Sequence, residues 1–324
     1  MKNILTGMNN SYFEILRPGV NTTIQDTGRN HLYHIGIAIS GAIDQRNYKL
    51  SNALVGNKLD EAVIEFAYQG PLLKLNNGKI NFAITGNVFF KIIRKSSKIE
   101  DGECYKNYIL EDKDQIDIIS TKNSAYGYLS VKDGFKLKKI WNSYSTNTKA
   151  NIGSNNGKKY SLEDQIYIKN SNIEKIISKK INYTNSTDNI IRIIKGTNFD
   201  YFSKKAKEKF LNEKFLVSNL ADRMGIRLKG PKLENIKNTN IKSEGLVRGV
   251  IQVPADGNPI IMLSDHGTVG GYPKIGVVIA ADLDLVGQLT PGTKINFKEV
   301  SLEEAQNIFK AYTEDTNKYL NECN

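Results

Sequence analysis

The chain has little of what most site chemistry needs. Two cysteines, Cys104 and Cys323, cannot make a disulfide framework. Their scarcity fits a reduced, cytoplasmic protein. There are three histidines. His31 and His34 are close, but no cysteine or third histidine completes a zinc set, so no metal is expected. The longest apolar runs, such as Ile275–Ala281 and Val88–Ile93, fall far short of the ~20 residues of a membrane-spanning helix. The start is basic, but its apolar stretch stops at Met8-Asn9-Asn10, which is no signal-peptide core. Gly78-Lys79 is followed by Ile80 and Gly157-Lys158 by Lys159, so there is no Walker-type phosphate loop. A Gly-x-Ser-x-Gly nucleophile elbow is absent as well. Met-Lys occurs only at Met1-Lys2, so no Met-Lys-Met box exists and no covalently attached biotin is expected.

Arginine is scarce too: 8 of the 45 basic residues. The net charge of +11 comes from scattered lysines, and Lys, Asn and Ile together supply about a third of the chain. Specific phosphate and base contacts lean on arginine forks. The charge therefore reads as a lysine-rich surface, with no nucleic-acid partner and no membrane partner.

What remains is a globular composition, 40% apolar and 24% charged, over 324 residues. That length favours two domains. The pattern is mostly strand. Lys79–Thr85 alternates, meets the turn signal Gly86-Asn87, and is followed by Val88–Ile93, which predicts a hairpin. Further strands are expected over Gln115–Ser120, Ala125–Val131, Ile190–Ile194, Val250–Val253, Ile260–Leu263, Ile275–Ala280 and Lys294–Phe297. Helices are few. Asp44 can cap one from Gln45 to Val55, Phe199–Leu211 carries a helical stripe, and Ser301 to Glu304 forms a capping box before a C-terminal helix. The polar stretch 171–189 predicts a linker between a β-barrel-like domain, 11–170, and a second barrel, 190–300, with the helix at 301–324.

Polar, glycine-rich clusters lie between the strands. Gln25, Asp26 and Arg29 crowd five residues beside Gly28. Ser40-Gly41-Ala42-Ile43-Asp44 precedes the first helix, whose N–H groups suit an anion, although Asp44 can equally be a plain cap. Glu65 ends an apolar run, an awkward place for a charge unless it is paired. Arg223 and Arg227 sit at i, i+4; an extended segment puts both on one face, where two forks suit a carboxylate or phosphate. The competing reading is a structural ion pair such as Asp222 with Arg227. Gly267 to Lys274 is a loop in which glycines permit close backbone approach to a ligand.

These clusters, in order, resemble a known family. Pro18-Gly19, Thr22-Thr23, Gln25-Asp26, Gly28-Arg29, Ser40-Gly41-Ala42 with Asp44, Ala53 to Asn57 and Thr85-Gly86 are similar to the first half of the allophanate hydrolase subunit 2 family. Asp222 to Leu228, Ser243-Glu244-Gly245, Gly249 to Ile260, Gly270 to Lys274 and Ala281-Asp282-Leu283 are similar to its second half. The family is also called biotin-dependent carboxyltransferase or KipA-like, and includes the C-subunit of bacterial 5-oxoprolinase. The resemblance implies a mainly β fold with two cyclophilin-like β-barrel domains. It implies a component of ATP-dependent 5-oxoprolinase, opening the lactam of 5-oxo-L-proline to L-glutamate. The implied partners are a subunit-1-like protein (the B-subunit) and a LamB/YcsF-like protein (the A-subunit). ATP is then a cofactor of the complex. Alternatives within the family are a carboxyltransferase module of the urea carboxylase type and a non-catalytic antagonist of a kinase-inhibitor protein. The expected catalytic residues are Asp26, Arg29, Asp44, Glu244 and Lys274. The expected substrate-binding residues are Gln25, Arg223, Arg227, Gly270, Gly271 and Tyr272.

Three segments depart from the family pattern. Asp265-His266-Gly267-Thr268-Val269 stands where Asp-Arg-Gln-Thr-Thr is usual. Asn87-Val88 replaces Ala and an acidic residue, and Asn142 to Thr146 lacks the usual arginine.

Overall fold

A computed structural model describes residues 10–170, 177–237 and 239–323. The signal-peptide reading at the start and part of the predicted linker, 171–176, lie outside the described residues.

The first half contains β1 (Tyr12–Arg17), β2 (Thr23–Gln25), α1 (Gln45–Leu54), β3 (Val63–Ala67), β4 (Leu72–Asn76) and β5 (Lys79–Thr85). It continues with β6 (Val88–Ile93), β7 (Ile99–Asp101), β8 (Asn107–Glu111), β9 (Gln115–Thr121), β10 (Tyr126–Val131) and β11 (Gln165–Tyr167). One sheet has the order β11-β1-β4-β9-β6-β7 and the other β2-β3-β10-β5-β8. Both contribute to one core, where Phe13, Ile15, Phe90 and Ile116 meet Ile24, Phe66, Phe82 and Leu129.

The hairpin expected at Gly86-Asn87 does not form. β5 pairs with β10 and β8, whereas β6 pairs with β9 and β7. The segment is a corner that carries the chain from one sheet to the other. Gly86 has φ 105°, and a Cβ there would lie 3.1 Å from the Gly127 Cα. The local turn signal is right, but pairing is decided by which core each strand face covers.

The second half contains β12 (Ile190–Lys195), α2 (Lys204–Asn212), β13 (Phe215–Ala221), β14 (Gly225–Lys229), β15 (Glu244–Gly245) and β16 (Val250–Gln252). It continues with β17 (Ile260–Met262), β18 (Val269–Gly270), β19 (Lys274–Val278), α3 (Leu283–Gly287), β20 (Lys294–Glu299) and α4 (Leu302–Asn321). Seven of these strands close a barrel in the order β12-β19-β16-β17-β14-β13-β20, and the two-stranded β15–β18 ribbon projects from it. The mainly β reading holds. Ser203 caps α2, so the Phe199–Leu211 stripe divides into a 3-10 turn and a helix that buries Ala206 and Phe210. The predicted capping box of Ser301 and Glu304 is present. Within α4 the buried residues are Thr316 and Leu320, while Phe309 is exposed.

The halves share apolar packing. Ala42, Ile43, Tyr48, Val63 and Tyr128 belong to the same buried cluster as the barrel residues Ile191, Phe215, Ile261 and Val286. The described part of the polar connector is packed too: Ile181 is buried, and Asn185 bonds both Asn47 and Tyr105.

Candidate functional site

The seam between the halves holds the densest set of buried charges. Arg223 lies in the turn from β13 to β14. Asp222 closes that turn by accepting from the Met224 and Gly225 N–H groups, at 2.8 and 3.3 Å. Arg223 then projects into the seam, 5% exposed. Its Nε and Nη2 donate to the two oxygens of Asp265, at 2.9 and 3.1 Å. Its Nη1 donates to Glu65 on β3, and Nη2 also reaches the Gly41 carbonyl at 2.7 Å. Burial works against the Arg223 charge, but Asp265 and Glu65 outweigh it and hold the guanidinium above its ordinary pKa. Glu65 also accepts from the Ile43 N–H at 2.8 Å. Burial pushes Glu65 up, and Arg223 only partly offsets this.

Asp26 organises the facing loop. It accepts from the Ser143 hydroxyl at 2.6 Å, the Tyr144 N–H at 2.6 Å, the Gly28 N–H at 2.8 Å and the Ser145 hydroxyl. Gln25 donates to the Thr146 carbonyl at 2.9 Å. Gly41 is confined here: at φ 84°, its Cβ would meet the Thr27 carbonyl at 3.0 Å. Arg29 is 1% exposed and donates from Nη2 to the Ser145 carbonyl. Its Nε and Nη1 have no partner among the described residues. Burial lowers its pKa, opposed by Asp26 and Asp265. Arg29 lines a cavity of about 220 Å³ with Ile37, Asn147, Lys149, Asp265 and His266.

His266 separates this cavity from a second one of about 510 Å³, lined by Tyr33, Ser40, Gln45, Arg248 and Ser264. The ring Nδ1 lies 2.6 Å from the Gly267 carbonyl, which can only accept, so Nδ1 carries the proton. In the neutral ring Nε2 then accepts from the Tyr33 hydroxyl at 2.9 Å. Burial lowers the His266 pKa, which favours the neutral ring, while the Gly267 carbonyl and Asp265 oppose this. A third cleft, of about 510 Å³, runs from His266 past Met224 and Leu220 to Arg227.

The family follows from comparison with known proteins. Residues 35–299 match the model described as "Carboxyltransferase domain, subdomain A and B". The chain belongs to this carboxyltransferase-domain family. It is 32% identical to the 5-oxoprolinase C-subunit of Haemophilus influenzae, over 91% of this chain and 93% of that protein. It is 28% identical to the 5-oxoprolinase C-subunit of Escherichia coli, over 90% and 92%. The urea amidolyase structure from Kluyveromyces lactis superposes with a TM-score of 0.87 at 25% identity. That match covers 97% of this chain and 20% of the larger one.

In this carboxyltransferase-type chain the expected site residues fall into separate groups. Gln25, Asp26, Arg29 and Arg223 converge on the seam. Arg227 does not: the chain turns at Asp222–Met224, which breaks the extended period, and Arg227 is exposed on β14. Asp222 neighbours Lys149 at 3.7 Å, so the anticipated Asp222–Arg227 pair is absent as well. Lys274, 4% exposed, is held by Glu244 in an ion pair away from the three cavities, none of which either residue lines. Gly270, Gly271 and Tyr272 belong to that same neighbourhood, with the Tyr272 carbonyl accepting from Gln252. Asp44 caps α1 as expected, through the Asn47 N–H at 2.9 Å. The anion at the start of that helix is Asp284, which accepts from the Gln45 and Arg46 N–H groups. Sequence reasoning missed Asp265, His266 and Tyr33. The Asp265-His266 pair stood just before the glycine-rich loop, marked only as a departure from the family pattern and not as part of a site. Among the described residues no group of His, Cys, Asp and Glu could hold a metal ion, and no helix is long and apolar enough to cross a membrane.

Proposed function

We propose that this chain is the C-subunit of an ATP-dependent 5-oxoprolinase. One observation carries the reading: the match to the two C-subunit relatives covers at least 90% of both chains, whereas the urea amidolyase match covers a fifth of the larger chain. A relative that is one component of several implies an assembly, and the partners proposed are the LamB/YcsF-like and subunit-1-like proteins. A lactam amide is a poor electrophile, so a site for it needs fixed donors where negative charge develops and an anchor for the substrate carboxylate. The seam offers buried guanidinium donors for such work. The nucleotide is assigned to the assembly. The glycine-rich turns of this chain lack the Lys-Ser/Thr pair of a phosphate loop.

The test is 5-oxoproline-dependent ATP hydrolysis, measured on this chain alone and after co-purification with both partners. Turnover is expected only in the assembly; full turnover by the isolated chain would overturn the partner requirement. The K. lactis superposition supports carboxyl transfer as a second reading. Saturable binding of free biotin to the assembly, with none of 5-oxoproline, would favour it.

A further inference from the structure

Most buried charges at the seam are satisfied by groups of the protein. Asp26 accepts four hydrogen bonds, and Arg223 is paired with two carboxylates. Arg29 is the exception. It is as buried as any of them, forms no salt bridge among the described residues, and has a single hydrogen bond, to the Ser145 carbonyl. Nε and Nη1 carry three of the five guanidinium N–H donors, and neither atom meets a partner among the described residues. A guanidinium does not shed its charge to escape burial, so unpaired donors there are costly unless something fills the adjoining space.

That space has a definite chemistry. Ile37, Ala38 and Ile152 give the Arg29 cavity an apolar wall, and its volume of about 220 Å³ is below the roughly 300–1,000 Å³ of pockets for drug-sized ligands. Asp265 also lines it, but both its oxygens are committed to Arg223. A carboxylate that close repels a dianion such as phosphate more than a monoanion. Lys149 stands at the rim beside Asp222, at 3.7 Å.

We propose that the Arg29 cavity is the subsite for the carboxylate of a small, ring-sized monocarboxylic acid, with the free Nε and Nη1 donors of Arg29 as its anchor. This moves the anchor from Arg223, each of whose three nitrogens already donates to a protein acceptor, to Arg29. The proposal rests on the oxoprolinase reading only for the choice of one probe.

The experiment is calorimetric titration of the full chain with three probes: 5-oxoproline, cyclopentanecarboxylate, which lacks the lactam, and 2-pyrrolidinone, which lacks the carboxylate. Both acids are expected to bind and 2-pyrrolidinone is not. Arg29→Lys should weaken the acids at least tenfold, and Arg29→Met should abolish their binding in a chain that still folds, because no carboxylate among the described residues is paired directly with Arg29. Arg29-dependent binding of cyclopentanecarboxylate with no preference for 5-oxoproline would keep the subsite and count against the oxoprolinase reading. Absence of Arg29-dependent binding by either acid would overturn the subsite, as would equal binding of 2-pyrrolidinone. If Arg29→Met does not fold, Arg29→Lys decides by the same criterion.

Discussion

Arg223 and Arg29 are both buried arginines beside glycines, yet the structure gives them opposite situations. Arg223 holds Glu65 and Asp265, each 1% exposed at its side chain. Removing it strands two buried carboxylates. Arg223→Ala is therefore expected to destabilise the fold by about 3–5 kcal/mol, the range for breaking a buried ion pair from one side. Arg223→Lys keeps the charge and loses the fork, so it should destabilise less than alanine but clearly. Denaturant unfolding of both variants checks this; wild-type stability in Arg223→Ala would mean that the seam does not depend on the pair. Half of this was legible beforehand. Glu65 at the end of an apolar run demanded a partner, but the partner is 158 residues away, and no local pattern names it. His266 was harder still, because its importance comes from lying between cavities formed by distant segments.

At the scale of elements, the start of α1 joins the halves. The sequence shows a capping Asp44 before a helix, and that much is local. It does not show that Asp284, entering from the barrel side, takes the next two N–H groups. Two carboxylates thus share one helix N-terminus. Burial first, and Asp284 second, push Asp44 up to about 7. The folded protein then holds a proton on Asp44 that the unfolded chain releases near its ordinary value of 3.8. With the folded pKa raised, this contribution to stability is complete below about pH 4 and is lost as pH rises through 7. Asp44→Asn keeps a good cap and cannot ionise. The stability difference, variant minus wild type, should therefore grow between pH 4 and 7, with a limiting slope of about 1.4 kcal/mol per pH unit. Urea unfolding at several pH values measures it. A difference independent of pH would show that Asp44 is already ionised in the folded protein at acidic pH.

For the whole molecule, length and a polar connector predict two units, and the strand pattern predicts a β architecture in each. The two sheets and the barrel are separately recognisable, but their cores are not separate. Ile43 packs so closely against Gly287 that a Cβ on that glycine would lie 2.3 Å from the Ile43 Cγ2. Ala42, Tyr48 and Val63 share a cluster with Val286 and Leu289. Arg223 and Glu65 are buried only while the halves remain together, since each comes from a different half. Such contacts are long-range by construction, and hydrophobic period and turn chemistry report only local order. Unfolding one half alone would bare apolar surface on the other and expose one partner of the Arg223 pair without the other. The chain is therefore expected to melt in one cooperative step despite its two-part architecture. In scanning calorimetry the ratio of calorimetric to van't Hoff enthalpy should be near one. Replacing Gly287 by Val should lower that single transition as a whole, because the side chain has no room beside Ile43. Two resolved transitions in the wild type, with only one of them moved by Gly287→Val, would show that the halves fold as independent units and that the seam is an interface between them.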